Sequence, residues 1–314
     1  MKLSFEFSVP KSKPMLNVAI PSSLLEDCST LREKTVKLGF IGRACSIFRV
    51  EEILIFKDFR RKTSDDSKLI KQILEYLETP QYLRKRLFKK DSKLRFVGLL
   101  PPLRTPHHPL IDDINKLPNL TAREGIIVRK IKSQYLVDVG LKDLLLVTAE
   151  SVAKRRIGER VTVLINKATG EHKLVDPKNL NVYWGFKVKV LREGLRDIKK
   201  HYGDSLIIAT SKKGQLISDP NTLLKLKSLL HKTSRTVILF GSPRMGLFEM
   251  SIHQGLNLNE ISDLVVNFIP NQGTSTVRTE EAIFSTLSII NLLIHLDVPS
   301  NVLIKHSGST QVAV

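Results

Sequence analysis

The chain has 314 residues, 42% of them hydrophobic, with Lys+Arg 50 against Asp+Glu 31 and a net charge of +19. That length allows two domains or one with a large insertion, and so large a surplus of cations suits a polyanion, nucleic acid ahead of an acidic membrane surface. No apolar run reaches membrane-spanning length, and Met1-Lys2-Leu3 precedes polar residues rather than a signal core, so a soluble cytoplasmic protein is expected.

Residues 16–20 read as a short buried strand, and Pro21-Ser22 as the start of a helix capped by Ser22. Cys28 and Cys45 fall in a stretch of helical character and form no metal or redox motif. They read as packing residues of a reducing compartment. A second strand at 53–56 and a helix over 67–78 (Leu69, Ile70, Ile73, Leu74, Leu77), stopped by Pro80, complete a βαβ unit.

From about 96 to 185 the texture changes. Short apolar runs at 125–131, 135–139, 144–147 and 161–165, punctuated by glycines and charged turns, predict a small antiparallel barrel or sandwich. Strand-like runs return at 206–209 and 237–240, with a helix-like segment at 222–230 between them. The simplest organisation is one α/β core, residues 1–95 and 186–314, interrupted by an inserted β-barrel at 96–185.

Basic residues cluster around that insertion. Arg84, Lys85, Arg86, Lys89, Lys90, Lys93 and Arg95 form one run; Lys154, Arg155, Arg156 and Arg160 form another; Lys187, Lys189 and Arg192 follow. Each alone can be a solvated face, but three beside one small barrel make an RNA-binding surface. Arg84, Lys85, Arg86, Lys89, Lys90, Arg155 and Arg156 are its candidate contacts. With aromatics at 6% and Trp184 the single tryptophan, phosphate contacts should outweigh base stacking. His107 and His108, with Asp112 and Asp113 nearby, match no common zinc spacing and sit among prolines, so no metal is expected.

The C-terminal run NFIPNQGTSTVRTEEAIFSTLSIIN, from Asn267, reads as strand end, turn, polar glycine loop and helix. Pro270 and Asn271 suit the centre of a β-turn, Gly273 lets the backbone pass close to another group, and Thr279 reads as an N-cap before Glu280 and Glu281. Ile283, Leu287, Ile290 and Ile294 recur at helical spacing. Ile289, Leu292 and Leu293 make the helix apolar almost all round, which asks for burial inside the monomer or at a subunit interface. Such a strand–loop–helix is either an ordinary connection or a ligand loop. There is no Walker loop, G-x-G-x-x-G, HExxH or G-x-S-x-G, which weighs against ATPase, dehydrogenase, metalloprotease and hydrolase chemistry.

Several segments together resemble the trefoil-knotted SPOUT methyltransferases. They are VAIPSSLLEDC (from Val18), IGRACSIFRVEEILIF (from Ile41), TPQYLRKRLF (from Thr79), GLLPPL (from Gly98), TPHHP (from Thr105), REGIIV (from Arg123), YWGFKV (from Tyr183), LFGSPRMGL (from Leu239) and NFIPNQGTSTVRTEEA. The resemblance is closest to the archaeal and eukaryotic RNA methyltransferases whose core is interrupted by an OB-like barrel. It implies a knotted α/β core that holds S-adenosylmethionine in a bent pose, and a homodimer with the site against the partner subunit. Carried over by motif, the cofactor loops would be Thr210, Ser211 and Lys213; Gly241, Ser242 and Gly246; and Asn267, Ile269, Gly273, Arg278 and Thr279. Arg43 and Arg278 are the catalytic candidates. The implied activity is S-adenosylmethionine-dependent methylation of a base in ribosomal or transfer RNA; the alternative is a catalytically silent RNA-binding assembly factor.

Overall fold

The runs at 16–20, 53–56, 206–209 and 236–239 have no polar face to turn to water, which is the pattern of strands buried on both sides of a parallel sheet. The computed structural model describes residues 3–59, 65–148 and 155–296. The chain opens with β1 (Met15–Pro21), α1 (Leu31–Ile47), β2 (Val50–Phe56), α2 (Ser67–Glu78) and α3 (Gln81–Leu87). There follow β3 (Leu120–Ile131), β4 (Gln134–Asp138), β5 (Leu145–Thr148), β6 (Arg160–Asn166) and β7 (His172–Val175). It closes with β8 (Lys187–Leu191), α4 (Leu195–Tyr202), β9 (Leu206–Leu216), α5 (Pro220–Lys232), β10 (Arg235–Leu239), α6 (Leu247–His253), α7 (Leu258–Ile261), β11 (Leu264–Asn267) and α8 (Thr279–His295).

Six strands form a parallel sheet in the order β11-β9-β10-β1-β2-β8. Because side chains alternate along a strand, each face collects every second residue. Val18, Ile20, Ile53, Ile208 and Ile238 pack against α1, α2, α5 and α8 through Leu38, Ile41, Leu74, Leu226 and Leu287. On the other face Ala19, Leu54, Ile207, Val237 and Leu239 meet α4, α6 and α7 through Leu195, Ile198, Met250, Leu258 and Ile261. Between β2 and β8, which are neighbours in the sheet, the chain builds a closed five-stranded barrel, β3-β4-β5-β7-β6, filled by Ile127, Tyr135, Val137, Val147, Val163 and Ile165. This is the expected mixed α/β fold with a small β-barrel, and its strand order is that of a five-stranded Greek-key barrel.

The barrel is bolted to the sheet layer by a buried ionic junction. Arg160 of β6 donates to Glu78, at the end of α2, at 2.6 Å and to Glu124 of β3 at 2.6 Å; Trp184 and Thr162 also donate to Glu124. His107 lies 3.0 Å from the Glu78 carboxylate. Burial alone would raise the Glu78 carboxyl, but Arg160 and His107 override it and hold it down to about 2. His108, half-buried beside them, donates to the Glu78 carbonyl at 2.7 Å, and its desolvation keeps it well below the usual histidine value. So the paired histidines, considered above for metal, brace this junction.

Two helix starts differ from the sequence reading. Ser22 does not cap a helix: its N–H donates to Phe56 O and its hydroxyl accepts from Asp58 N–H, tying the ends of β1 and β2 together. The helix begins later, with Thr30 and Glu33 closing a reciprocal capping box. Likewise Thr279 is the first residue of α8 rather than its cap. The cap is Arg278, whose main-chain N–H donates to Glu281 at 2.9 Å. Among the described residues no helix is long and apolar enough to cross a membrane.

Candidate functional site

The carboxyl ends of β9, β10 and β11 carry three loops that wall one cavity of about 320 Å³. The first loop arises from a break in pairing: Val265 is opposite Ala209, yet Val266 is opposite Gln215, so residues 210–214 swing out of the ladder. Gly214 makes the return possible, since a Cβ there would lie 2.7 Å from the Val265 carbonyl oxygen. Thr210 Oγ1 donates to Leu239 O at 2.8 Å and fixes this loop to β10, while Ser211 Oγ accepts from the Lys213 N–H at 3.1 Å.

The second loop, 241–246, follows β10. Ser242 N–H donates to Met245 O at 3.0 Å and Met245 N–H returns to Ser242 Oγ at 3.1 Å, which closes a tight turn over Pro243 and Arg244. Gly241 sits beneath that turn; a Cβ there would meet Met245 O at 2.9 Å. The third loop is held by Asn267, whose Nδ2 donates to Lys212 O at 3.2 Å and whose Oδ1 accepts from Ile269 N–H at 3.0 Å. Thr279 Oγ1 donates to Gly241 O at 3.2 Å, joining the start of α8 to the second loop. The hydroxyl thus serves a partner across the cavity, the physical reason it is not used as a cap.

Of the residues singled out for the cofactor, Thr210, Ser211, Lys213, Gly241, Ser242, Gly246, Asn267, Ile269 and Thr279 line the cavity. Gly273 and Arg278 do not. A Cβ on Gly273 would meet nothing within 4 Å, so no close approach requires glycine there, and the Arg278 side chain is exposed. Sequence reasoning missed Phe240, Met245, Val266 and Phe268, which supply an apolar lining, and Lys212, Arg244 and Glu249, which supply charge. Most of them flank the glycines and the asparagine already singled out, so motif context was the available signal.

Arg43 is outside the cavity as well. Its guanidinium donates to Pro102 O at 2.8 Å and Leu103 O at 2.7 Å, pinning the segment that leads into the barrel onto α1. The basic candidates divide. Arg84 turns inward, donating to Thr79 O and Leu77 O at the end of α2 and stacking on Tyr76. Arg86 pairs with Asp138 of β4 at 2.7 Å, and Arg155 with Glu159 at 2.8 Å. Lys85, Lys89, Lys90 and Arg156 are exposed, and Lys154 lies outside the described residues.

A cavity with apolar walls, backbone-rich loops and a cationic rim suits a nucleoside-sized ligand with charged ends. Known proteins resemble the chain over most of its length. The family model described as "Putative RNA methyltransferase" matches residues 15–290. The 28S rRNA (uridine-N(3))-methyltransferase of Homo sapiens is 31% identical, the match covering 88% of this chain and 77% of the human one. An uncharacterised protein of Halobacterium salinarum is 29% identical over 88% of this chain and 98% of its own. Among solved structures, an RNA 2'-O ribose methyltransferase overlaps with a TM-score of 0.35 at 13% identity, over 91% of this chain and 59% of that one, too loose a fit to carry an argument. The family match and the human relative are sufficient: the chain belongs to this family of RNA methyltransferases.

Proposed function

We propose that the protein transfers a methyl group from S-adenosylmethionine to N3 of a uridine in ribosomal RNA. The observation that carries the reading is the cavity at the ends of β9, β10 and β11. Its volume of about 320 Å³ falls within the roughly 300–1,000 Å³ of small-molecule sites. Phe240, Met245, Val266 and Phe268 suit an adenine and its ribose, while main-chain groups of the 241–246 and 267–272 loops suit the polar ends. The donor supplies an activated methyl on a sulfonium. The choice of uridine N3 follows the name of the human relative.

The chain's own residues would have two tasks. Uracil N3 carries an imide proton that must leave for the nitrogen to act as nucleophile. Lys213 and Arg244, as cations lining the cavity, favour the anionic base by Coulomb attraction. Glu249, the only carboxylate among the described lining residues, is the group there able to accept the proton. The RNA backbone would be held by the exposed Lys85 of α3, by Lys89 and Lys90 just after it, and by Arg156 in the inserted unit at 96–185, so that α3 and the barrel together form the RNA platform.

The same reading includes a knotted C-terminal segment and a homodimer. On α1, Val36, Phe40 and Ile47 form an exposed apolar stripe, and α8, which packs against α1, adds Phe284 and Leu292. Phe40 is 64% exposed and Phe284 48%, large apolar side chains on two packed helices that a subunit interface would cover. Light scattering of Phe40→Lys and Phe284→Glu together should give monomers where the parent chain gives dimers. The activity itself is tested by incubating purified protein with methyl-labelled S-adenosylmethionine and ribosomal RNA from cells lacking the gene. Label in N3-methyluridine is expected; binding of RNA and donor without transfer would favour the assembly-factor alternative.

A further inference from the structure

The loop after β1 reaches the second cavity loop from outside. Glu26 is not among the residues lining the cavity, yet its Oε1 accepts from Ser242 Oγ at 2.6 Å and from Arg244 N–H at 3.2 Å. These partners lie more than two hundred residues away in sequence. Ser242 Oγ in turn accepts from the N–H groups of Arg244 at 3.3 Å and Met245 at 3.1 Å. Pro243 has no N–H of its own, and the N–H groups of Arg244 and Met245 converge on one hydroxyl and one carboxylate. The turn also sets where Gly241 and Gly246 stand, and both line the cavity.

The loop that carries Glu26 is itself anchored. Ser23 donates to Asp58 at 2.6 Å on one side. On the other, Asp27 pairs with the buried Lys37 of α1 at 2.7 Å, and Lys37 reaches Glu280 in the first turn of α8 at 3.2 Å. One loop therefore braces two walls of the cavity: the 241–246 turn through Glu26, and the start of α8 through Asp27 and Lys37. Neither contact was legible in the sequence, where residues 22–28 read as helix.

We propose that Glu26 is a positioning residue for the methyl donor: its carboxylate holds the 242–245 turn in the shape that binds S-adenosylmethionine. The inference rests on the function proposed above. One oxygen, Oε1, accepts both of these hydrogen bonds, and a glutamine oxygen at the same place can accept them too.

The test compares parent protein, Glu26→Ala and Glu26→Gln. Titration with S-adenosylmethionine and its demethylated product should show about a tenfold loss of affinity in Glu26→Ala and near-parental affinity in Glu26→Gln. RNA affinity and melting temperature should stay close to parental in both. In the ligand-free protein, amide exchange at Arg244 and Met245 should quicken in Glu26→Ala alone. Unchanged donor affinity and exchange in Glu26→Ala would overturn the inference, as would equal losses of donor affinity, RNA affinity and melting temperature. Failure of the parent protein to bind any donor would instead sink the proposed function, and exchange would still report separately on whether Glu26 braces the turn.

Discussion

Asn267 holds Lys212 by its main chain: the asparagine Nδ2 donates to the Lys212 carbonyl at 3.2 Å, while its Oδ1 takes the Ile269 N–H at 3.0 Å. One side chain thus joins the 210–214 excursion within β9 to the turn after β11. It is buried, so both bonds are made away from water. Asn267→Ala removes both and leaves a carbonyl and an N–H to find new partners. Donor affinity should fall about tenfold, or ~1–2 kcal/mol, by calorimetry. Asn267→Asp keeps the acceptor and loses the donor, and should fall between.

Gly241 and Gly273 were equal candidates on sequence, but they make opposite predictions. A Cβ on Gly241 meets Met245 O at 2.9 Å, so Gly241→Ala must displace the turn that lines the cavity. A Cβ on Gly273 meets nothing within 4 Å. Calorimetry should show donor binding weakened in Gly241→Ala and unchanged in Gly273→Ala.

The junction between sheet layer and barrel should be acid-sensitive. Glu78 is held down to about 2 from an ordinary 4.5 because Arg160 and His107 outweigh its burial. A carboxyl depressed in the folded state contributes stability that is whole above pH 4.5 and is lost as pH falls toward 2. His108, half-buried and held well below 6.5 by desolvation, adds a loss of the same sign on acidification below 6.5. Arg160→Met leaves Glu78 and Glu124 buried without the cation they share and should cost about 3–5 kcal/mol in urea unfolding at neutral pH.

RNA affinity should depend on the lysines and not on the inward arginine. Replacing Lys85, Lys89 and Lys90 with glutamate should weaken binding and reduce the slope of log affinity against log salt by about 2–3, the loss of three phosphate contacts. Donor affinity should not change. Arg84→Ala should instead lower melting temperature, because its guanidinium satisfies the last carbonyls of α2. Fluorescence anisotropy at several salt concentrations, beside thermal melts, separates the two.

The parallel strands were legible because buried strands write themselves as unbroken Val, Ile and Leu, and the barrel because short runs alternate with glycine and charge. What stayed hidden depends on contacts distant in sequence. The run KVKVL of β8 reads as a basic cluster, and only its place beside β2 makes it a strand. Residues 172–175 of β7 are half-buried throughout and carry no alternation to detect. At the site, glycines and Asn267 mark the loops, whereas Arg43 and Arg84 have the composition of functional arginines and the contacts of structural ones. Charge type is written in the sequence; which way a guanidinium turns is not.

The most direct measurement is nucleoside mass spectrometry of digested ribosomal RNA from cells with and without the gene, and from cells carrying Asn267→Ala. N3-methyluridine should be lost without the gene, restored by the intact chain, and reduced in the variant. Unchanged N3-methyluridine in the deletion, or loss of a different methylated nucleoside, would contradict it.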